Sequence, residues 1–255
     1  MKVLSIIGEA GTGKTTTVEN IIKELRRRRY KVGFVKEIDS EKFIADIEGL
    51  DISEYEKAGS QLITLRGTCK TGILFRGKIS MDELLRFYDH DFVILENITD
   101  VNAPRIITAI DEEGIDNKYD DLVFCISGII SGVRDEYNGL PIISPIDNIK
   151  KLVDLIEEKV YDRLPDFSIE CCDACGFGCR GLGSKILKGE ARREDCKILN
   201  TKVKLFVNDD EIQFVPLVKN ILSNAVLGVV KELEGYKEGK EIKVIINSDS
   251  DPSIT

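Results

Sequence analysis

What this chain lacks narrows its chemistry before any motif is read. A single histidine, His90, leaves no second imidazole for a histidine-rich metal site, and it makes a serine–histidine triad an unpromising reading. Its place just ahead of an apolar strand is that of a polar loop residue. No apolar stretch approaches the length of a membrane span, so no membrane partner is expected. No N-terminal segment has the charged, apolar and small-residue order of a secretory leader. The expected compartment is therefore the reducing cytoplasm, where cysteines stay thiols and grouped thiols usually mean metal. Cations are outnumbered as well. A net charge of −9 argues against a duplex nucleic-acid partner, which needs a basic face to replace phosphate counterions. The one basic run, Arg26–Arg29, reads as the end of a helix, where cations complement the negative pole of the helix dipole.

Against these absences one motif stands out. Residues 8–15 read Gly-Glu-Ala-Gly-Thr-Gly-Lys-Thr, a complete G-x-x-x-x-G-K-[ST] phosphate-binding loop between an apolar run and a helical segment. Glycine at Gly8 and Gly13 is expected to let the backbone take positive φ, so that successive amides point at phosphate oxygens. The expected nucleotide contacts are Gly8, Gly11, Thr12, Gly13, Lys14, Thr15 and Thr16. Lys14 supplies mobile charge to the β- and γ-phosphates, and the Thr15 hydroxyl is a ligand for Mg²⁺. The segment Asp91–Glu96 has the form of an apolar strand closing in a carboxylate, which makes Glu96 a second Mg²⁺ ligand. Asp39 and Asp46 follow the second strand and are candidates for orienting or deprotonating an attacking water. As plain loop charges they would be equally ordinary.

The first two thirds alternate buried-strand and helical patterns, the signature of an α/β fold with a mainly parallel sheet. Strands are expected at Lys2–Ile7, Lys31–Lys36, Phe92–Glu96, Leu122–Ser127 and Pro141–Ser144. Helices are expected at Lys14–Arg29, Ile52–Ala58, Met81–Tyr88 and Asp147–Tyr161, the last capped by Asp147. The predicted organisation is a nucleotide-binding domain over 1–165, a Cys-rich metal segment over 166–199, a small ββαβ module over 200–246 and a loose polar tail over 247–255. In that module Val203–Val207, Glu211–Phe214 and Ile242–Ile246 read as strands. Pro216–Leu233 reads as a helix with Leu217, Ile221, Val226, Val229 and Leu233 on its apolar side.

Five of the seven cysteines fall between Cys171 and Cys196. Cys172, Cys175, Cys179 and Cys196 follow C-x₂-C-x₃-C-x₁₆-C, with Cys171 as a spare. Four thiolates satisfy either one tetrahedral Zn²⁺ or a cubane iron–sulfur cluster. Three cysteines crowd one glycine-rich loop and the fourth returns after a helix, which favours the cluster over paired zinc knuckles. Gly189 is expected to end that helix. Cys69 and Cys125 read as structural, with Cys125 in mid-strand.

Together these residues resemble the MobB family, the molybdopterin-guanine dinucleotide biosynthesis protein B. In that family a second strand ends in Lys and is followed by F-x-x-D-x-x-G-x-D-S and then Ala-Gly. Lys36, Phe43, Asp46, Gly49, Asp51, Ala58 and Gly59 stand at corresponding positions, and the strand closing at Glu96 is similar to one closing in Glu-Gly. The resemblance covers residues 1 to about 160. The family's histidine after the strand-ending lysine is absent, Ile52 replaces its serine, and Asn97 replaces its glycine. The run Cys172–Cys179, with Lys188-Gly189-Glu190-Ala191 before Cys196, is similar to four-cysteine [4Fe–4S] domains.

The resemblance implies a GTP- and Mg²⁺-binding accessory protein of molybdenum-cofactor maturation, slow in hydrolysis. Its implied partners are a molybdenum-cofactor guanylyltransferase or a molybdoenzyme, and a second copy in a homodimer. Guanine comes from the resemblance alone, because no N/T-K-x-D base-reading motif is present. A nucleotide-controlled iron–sulfur carrier or redox adaptor is the alternative. A small-molecule kinase would need an acceptor site that no residues mark.

Overall fold

The computed structural model describes residues 1–38, 52–166, 172, 174–198, 203–207, 210–212, 216–234, 236 and 242–244. Its centre is a five-stranded sheet in the order β2-β5-β1-β6-β7. The strands are β1 (Lys2–Gly8), β2 (Val32–Lys36), β5 (Phe92–Glu96), β6 (Arg105–Thr108) and β7 (Val123–Ser127). Every pairing between them is parallel, as the alternating pattern predicts.

Successive residues of β1 point to opposite faces, and both faces are covered. On one side Leu4, Ile6, Phe92, Ile94 and Ile106 pack against helix α1 (Lys14–Arg27) and helix α5 (Ile149–Lys159), through Val18, Ile21, Leu25, Leu152, Val153 and Ile156. On the other side Val3, Val93 and Leu95 meet Leu85, while Ile7, Ile107 and Ile126 meet Ile115. The basic run closes α1 as expected. Arg28 fastens it to α5, reaching Asp154 at 2.7 Å and Glu157 at 2.6 Å, with Glu24 on its own helix at 3.0 Å.

Several elements differ from the sequence reading. β6, four residues long, was not foreseen because so short a buried run shows no period; it lies between β1 and β7. An antiparallel ribbon of β3 (Leu62–Arg66) and β4 (Thr71–Phe75) follows the short helix α2 (Ile52–Lys57). The expected strand at Pro141–Ser144 is a two-residue hairpin, β8 (Glu136–Tyr137) with β9 (Leu140–Pro141), followed by a single parallel bridge from Ile142 to Ile126. Helix α3 (Met81–Leu85) is shorter than expected and is fixed by a Ser80–Glu83 capping box. Helix α4 (Glu112–Asp116) is capped by Asp111. Asp147 does not cap α5; Asn148 holds that position, and the Asp147 carboxylate accepts from the Ser144 hydroxyl instead.

The chain divides into two compact units, Met1–Thr201 and Lys202–Thr255. The first contains the cysteine segment and its helix α6 (Gly178–Lys188), which ends at Gly189 in the left-handed conformation, φ 76°. The second holds the hairpin β10 (Leu205–Val207) with β11 (Asp210–Ile212) and helix α7 (Pro216–Val230). Residues 242–244 are not in a strand. Ile221, Val229 and Leu233, expected on the apolar side of that helix, are exposed.

Candidate functional site

The loop after β1 is built by its neighbours as much as by its own residues. Gly8 ends the strand without positive φ, contrary to the sequence expectation; Gly11 and Gly13 carry it instead, at 80° and 89°. Gly8 is required for another reason. A Cβ there would lie 2.3 Å from the Thr108 carbonyl oxygen and hydroxyl. The Thr12 hydroxyl shares a hydrogen bond with Thr108 Oγ1 at 2.8 Å, and the Thr12 carbonyl accepts from the Ile129 amide at 3.2 Å. Gly128, at φ 89°, lets the turn after β7 close onto that carbonyl. The ends of β6 and β7 therefore buttress the loop, and neither contribution was visible in the motif.

Within this frame Gly13 starts α1, and the Thr15 and Thr16 side chains stand exposed at its first turn. The Lys14 ammonium donates to the Gly8 carbonyl at 2.6 Å and the Glu9 carbonyl at 2.9 Å. Partial burial lowers its pKa, and the nearby Glu96 carboxylate acts in the opposite direction. Glu96, at the end of β5, is buried, with its side chain 5% exposed, and pairs with Lys36 at 3.0 Å. The strand register sets this up directly, because Lys36, Glu96 and Ile6 stand side by side across β2, β5 and β1. Asn97 follows in the left-handed conformation, φ 62°, and donates its amide to the Ile6 carbonyl.

The carboxyl ends of β1, β2 and β5 thus bring together the phosphate loop, two lysines and one carboxylate, where a parallel sheet places its ligand. Two exposed hydroxyls at a helix start and a buried carboxylate are an oxygen donor set suited to Mg²⁺, so these residues fit that ion. Asp39 and Asp46 lie outside the described residues, as do Phe43, Gly49 and Asp51. Cys125 is fully buried in β7 and its thiol is pushed up to about 12 by burial, a packing residue as the sequence suggests.

The cysteine segment occupies the opposite edge of the same sheet. Cys172, Cys179 and Cys196 are buried with Leu164, Leu182 and Ile198 in one apolar cluster, and half-buried Cys175 packs against it. None of the four is in a disulfide. Among the described residues no group of three or more His, Cys, Asp or Glu side chains is placed to hold a single metal ion. Helix α6 presses Gly183 against Tyr161 and Leu122, so closely that a Cβ would stand 2.2 Å from the Tyr161 oxygen. Arg180 pairs with Asp120 at 3.2 Å, and Asp120 in turn binds the buried Arg105 at the start of β6. Arg193 donates to the Asp162 carbonyl, and Asp162 also pairs with the Met1 ammonium at 2.8 Å. All of these anchors are at the amino ends of the strands.

Comparison with known proteins follows this geometry. Residues 3–126 match the family MobB, molybdopterin guanine dinucleotide synthesis protein B. A Methanocaldococcus jannaschii protein, provisionally named a molybdopterin-guanine dinucleotide biosynthesis adapter protein, is 29% identical over 254 residues, covering 97% of this chain and 98% of its own. The molybdopterin-guanine dinucleotide biosynthesis adapter protein of Haemophilus influenzae is 30% identical over 110 residues, 41% of this chain and 61% of its own. The crystal structure of Bacillus subtilis MobB superposes with a TM-score of 0.52 at 20% identity, covering 64% of this chain and all of that one, which shows a shared fold. No helix among the described residues is long and apolar enough to cross a membrane.

Proposed function

We propose, from the match of residues 3–126 to the MobB family, that this protein is a GTP-binding adapter in the biosynthesis of molybdopterin guanine dinucleotide. The observation that carries the reading is the convergence of Gly8–Thr15, Lys36 and Glu96 at one sheet edge within the matched residues. The phosphates bind across the loop amides of Gly11–Thr15. Lys14 leaves the two carbonyls it now contacts and turns to the β- and γ-oxygens, where its charge offsets the negative charge that builds as the γ-phosphoryl group departs. Thr15 and Glu96 would hold Mg²⁺, which when bound supplies charge neutralisation between the phosphates. Lys36 then gives up part of its hold on Glu96 and becomes available to the γ-phosphate. Asp39 and Asp46 are assigned the orientation or deprotonation of water, in a hydrolysis that is slow without a partner.

The partner is a guanylyltransferase of the cofactor or a molybdoenzyme that receives it, met in the cytoplasm by a homodimer of this chain. The test is equilibrium binding of a fluorescent GTP analogue with Mg²⁺. A Lys14→Ala chain should lose at least tenfold in affinity while melting normally, and equal affinity would remove the site assignment. Competition by ATP sets the base preference.

A second reading is favoured by the cysteines. Four thiols in one apolar cluster on the far edge of the nucleotide sheet suit a nucleotide-controlled iron–sulfur carrier or redox adaptor, with zinc as the competing occupant.

A further inference from the structure

We infer that the cavity between helix α4 and the turn after β7 is the seat of the nucleotide's base, with Ile110 and Val133 as its apolar walls and the Asp111 carboxylate as the group that selects guanine; this rests on the nucleotide-binding reading above.

The sheet fixes the direction in which a bound nucleotide runs. The phosphate loop follows β1, the central strand, and its two flanks differ in chemistry. Toward β5 and β2 stand Glu96 and Lys36, charged groups suited to the γ-phosphate and its cation. Toward β6 and β7 the strand ends present apolar side chains to solvent: Ile110 is 51% exposed, Ile129 52% and Val133 80%. With the γ-phosphate drawn to the first side, the nucleoside extends over the second. Apolar surface is what the face of a base packs against.

That second side is joined to the loop. The Ile129 amide donates to the Thr12 carbonyl at 3.2 Å, and a Cβ on Gly13 would lie 3.5 Å from Gly128 Cα and 3.7 Å from the Ile129 nitrogen. The next residue, Ile130, donates its amide to the Ala109 carbonyl at 3.0 Å, which holds the ends of β6 and β7 together. Ile110 and Ile130 then line one cavity of about 420 Å³ with Asp111, Val133 and Arg134. Its size falls in the range of roughly 300–1,000 Å³ usual for small-molecule sites. An ion pair from Arg134 to Glu112 ties the turn to α4 across it. Burial is the largest cause of the lowered Lys14 pKa, and the cations Lys36 and Lys118 add to it, the latter from just beyond α4. The α4 side therefore lies within electrostatic reach of the phosphate site.

The polar groups of the cavity suit a base and not a phosphate. Asp111, Glu112 and Glu113 set three carboxylates against the guanidinium of Arg134, a balance that repels an anion. Asp111 Oδ1 accepts from the Gly114 amide at 2.9 Å, which fixes this carboxylate at the start of α4. An ionised carboxylate only accepts, and it keeps lone pairs for a ligand. Guanine offers it two adjacent donors, N1–H and the N2 amino group, in a charge-assisted bidentate pair. Adenine offers one donor beside the lone pair of N1, which would oppose a carboxylate oxygen, and a site built around hydrogen bonds rejects such a mismatch.

The experiment is isothermal titration calorimetry of the full chain, with Mg²⁺, against GTP, ATP, xanthosine triphosphate and inorganic tripolyphosphate. The parent chain should bind GTP at least about tenfold more tightly than ATP. Asp111→Asn retains a residue that caps a helix as well as Asp does, but places an amide donor where an acceptor stood. GTP affinity should fall at least about tenfold, xanthosine triphosphate should gain because its C2 carbonyl accepts from that amide, and tripolyphosphate should be unchanged. Val133→Asp, at a position exposed to solvent, should likewise weaken GTP and spare tripolyphosphate. Equal affinity of the parent for GTP and ATP, or an unaltered ratio of GTP to xanthosine triphosphate in Asp111→Asn, overturns the base seat; tripolyphosphate binding that Lys14→Ala abolishes would then keep the phosphate site standing. A parent chain that binds neither nucleotide nor tripolyphosphate overturns both.

Discussion

Replacing Gly128 by alanine tests whether the phosphate loop is held by the ends of β6 and β7. Gly128 sits at φ 89°, ψ −153°, a region that only glycine occupies readily. An added Cβ would fall 2.3 Å from the Thr12 carbonyl oxygen, 3.1 Å from Thr108 Cβ and 3.2 Å from the Ala109 amide nitrogen. Two of those neighbours are backbone atoms, which cannot rotate away. Strain of about 1–3 kcal/mol and overpacking of about 1–3 kcal/mol are offset by roughly 0.4–1 kcal/mol from the stiffer unfolded chain. The net cost is therefore about 1–6 kcal/mol. For a unit of this size that is a fall in Tm of roughly 2–24 °C. Two glycines nearby calibrate the series. Gly11, at φ 80° with open space around the Cβ position, should cost only about 1 kcal/mol on substitution. Gly132, in the same turn as Gly128 but with open space and no positive φ, should cost nothing. Far-ultraviolet circular dichroism melts of the three variants, paired with GTP-analogue binding, give the order. If Gly128→Ala melted with Gly132→Ala and bound nucleotide normally, the buttress would be wrong.

Among the described residues Asp120 is the one carboxylate that pairs directly with buried Arg105, so Asp120→Asn should cost about 2–4 kcal/mol in urea unfolding, although the Thr99 and Val101 carbonyls still accept from that guanidinium. Arg180→Ala, which removes a half-exposed partner of the same carboxylate, should cost less than about 1 kcal/mol. Lys36→Ala leaves the buried Glu96 carboxylate without its cation; the chain should melt lower without Mg²⁺ and regain stability when Mg²⁺ is added, whereas equal melting in both conditions contradicts the shared carboxylate. Glu24 is held down to about 2 by hydrogen bonds from Arg27 and then Arg28, against a burial effect that raises it. Its stabilisation is thus complete above an ordinary carboxylate pKa near 4.5 and is lost as pH falls from there toward 2. Glu24→Gln should flatten the acid limb of a pH–stability curve in that window.

The residues that announce themselves in the sequence are those whose chemistry fixes their spacing. The phosphate loop, the strand closing at Glu96 and the Lys36 strand all appear where the pattern put them, because a glycine-rich loop between a buried run and an amphipathic helix has few other readings. The buttress was not legible. Thr108 and Gly128 are far from the loop in sequence, and β6 is too short to show a period. The role of Gly8 was misread for a related reason: its need is a close approach to Thr108, which no local pattern records. The cysteines were legible as a group, but not their seat on the amino edge, which depends on Tyr161, Asp120 and Arg105. The apolar stripe of α7 was overread, because helical spacing says which residues share a side and nothing about what that side meets.

The position of β1 in the sheet has a consequence for how the chain is made. It precedes the other four strands of the sheet in the chain and is the central strand of the finished sheet, with β5 on one side and β6 on the other. A nascent chain displayed only as far as residue 90 carries the whole loop sequence but neither flanking strand, so the loop has no frame. Such long-range parallel pairing is slow to form, since loop closure must be met before any ladder rewards it. The loop thus leaves the ribosome before the strands that frame it and becomes functional only after them, and a chain stalled short of Ser127 should be unable to retain nucleotide.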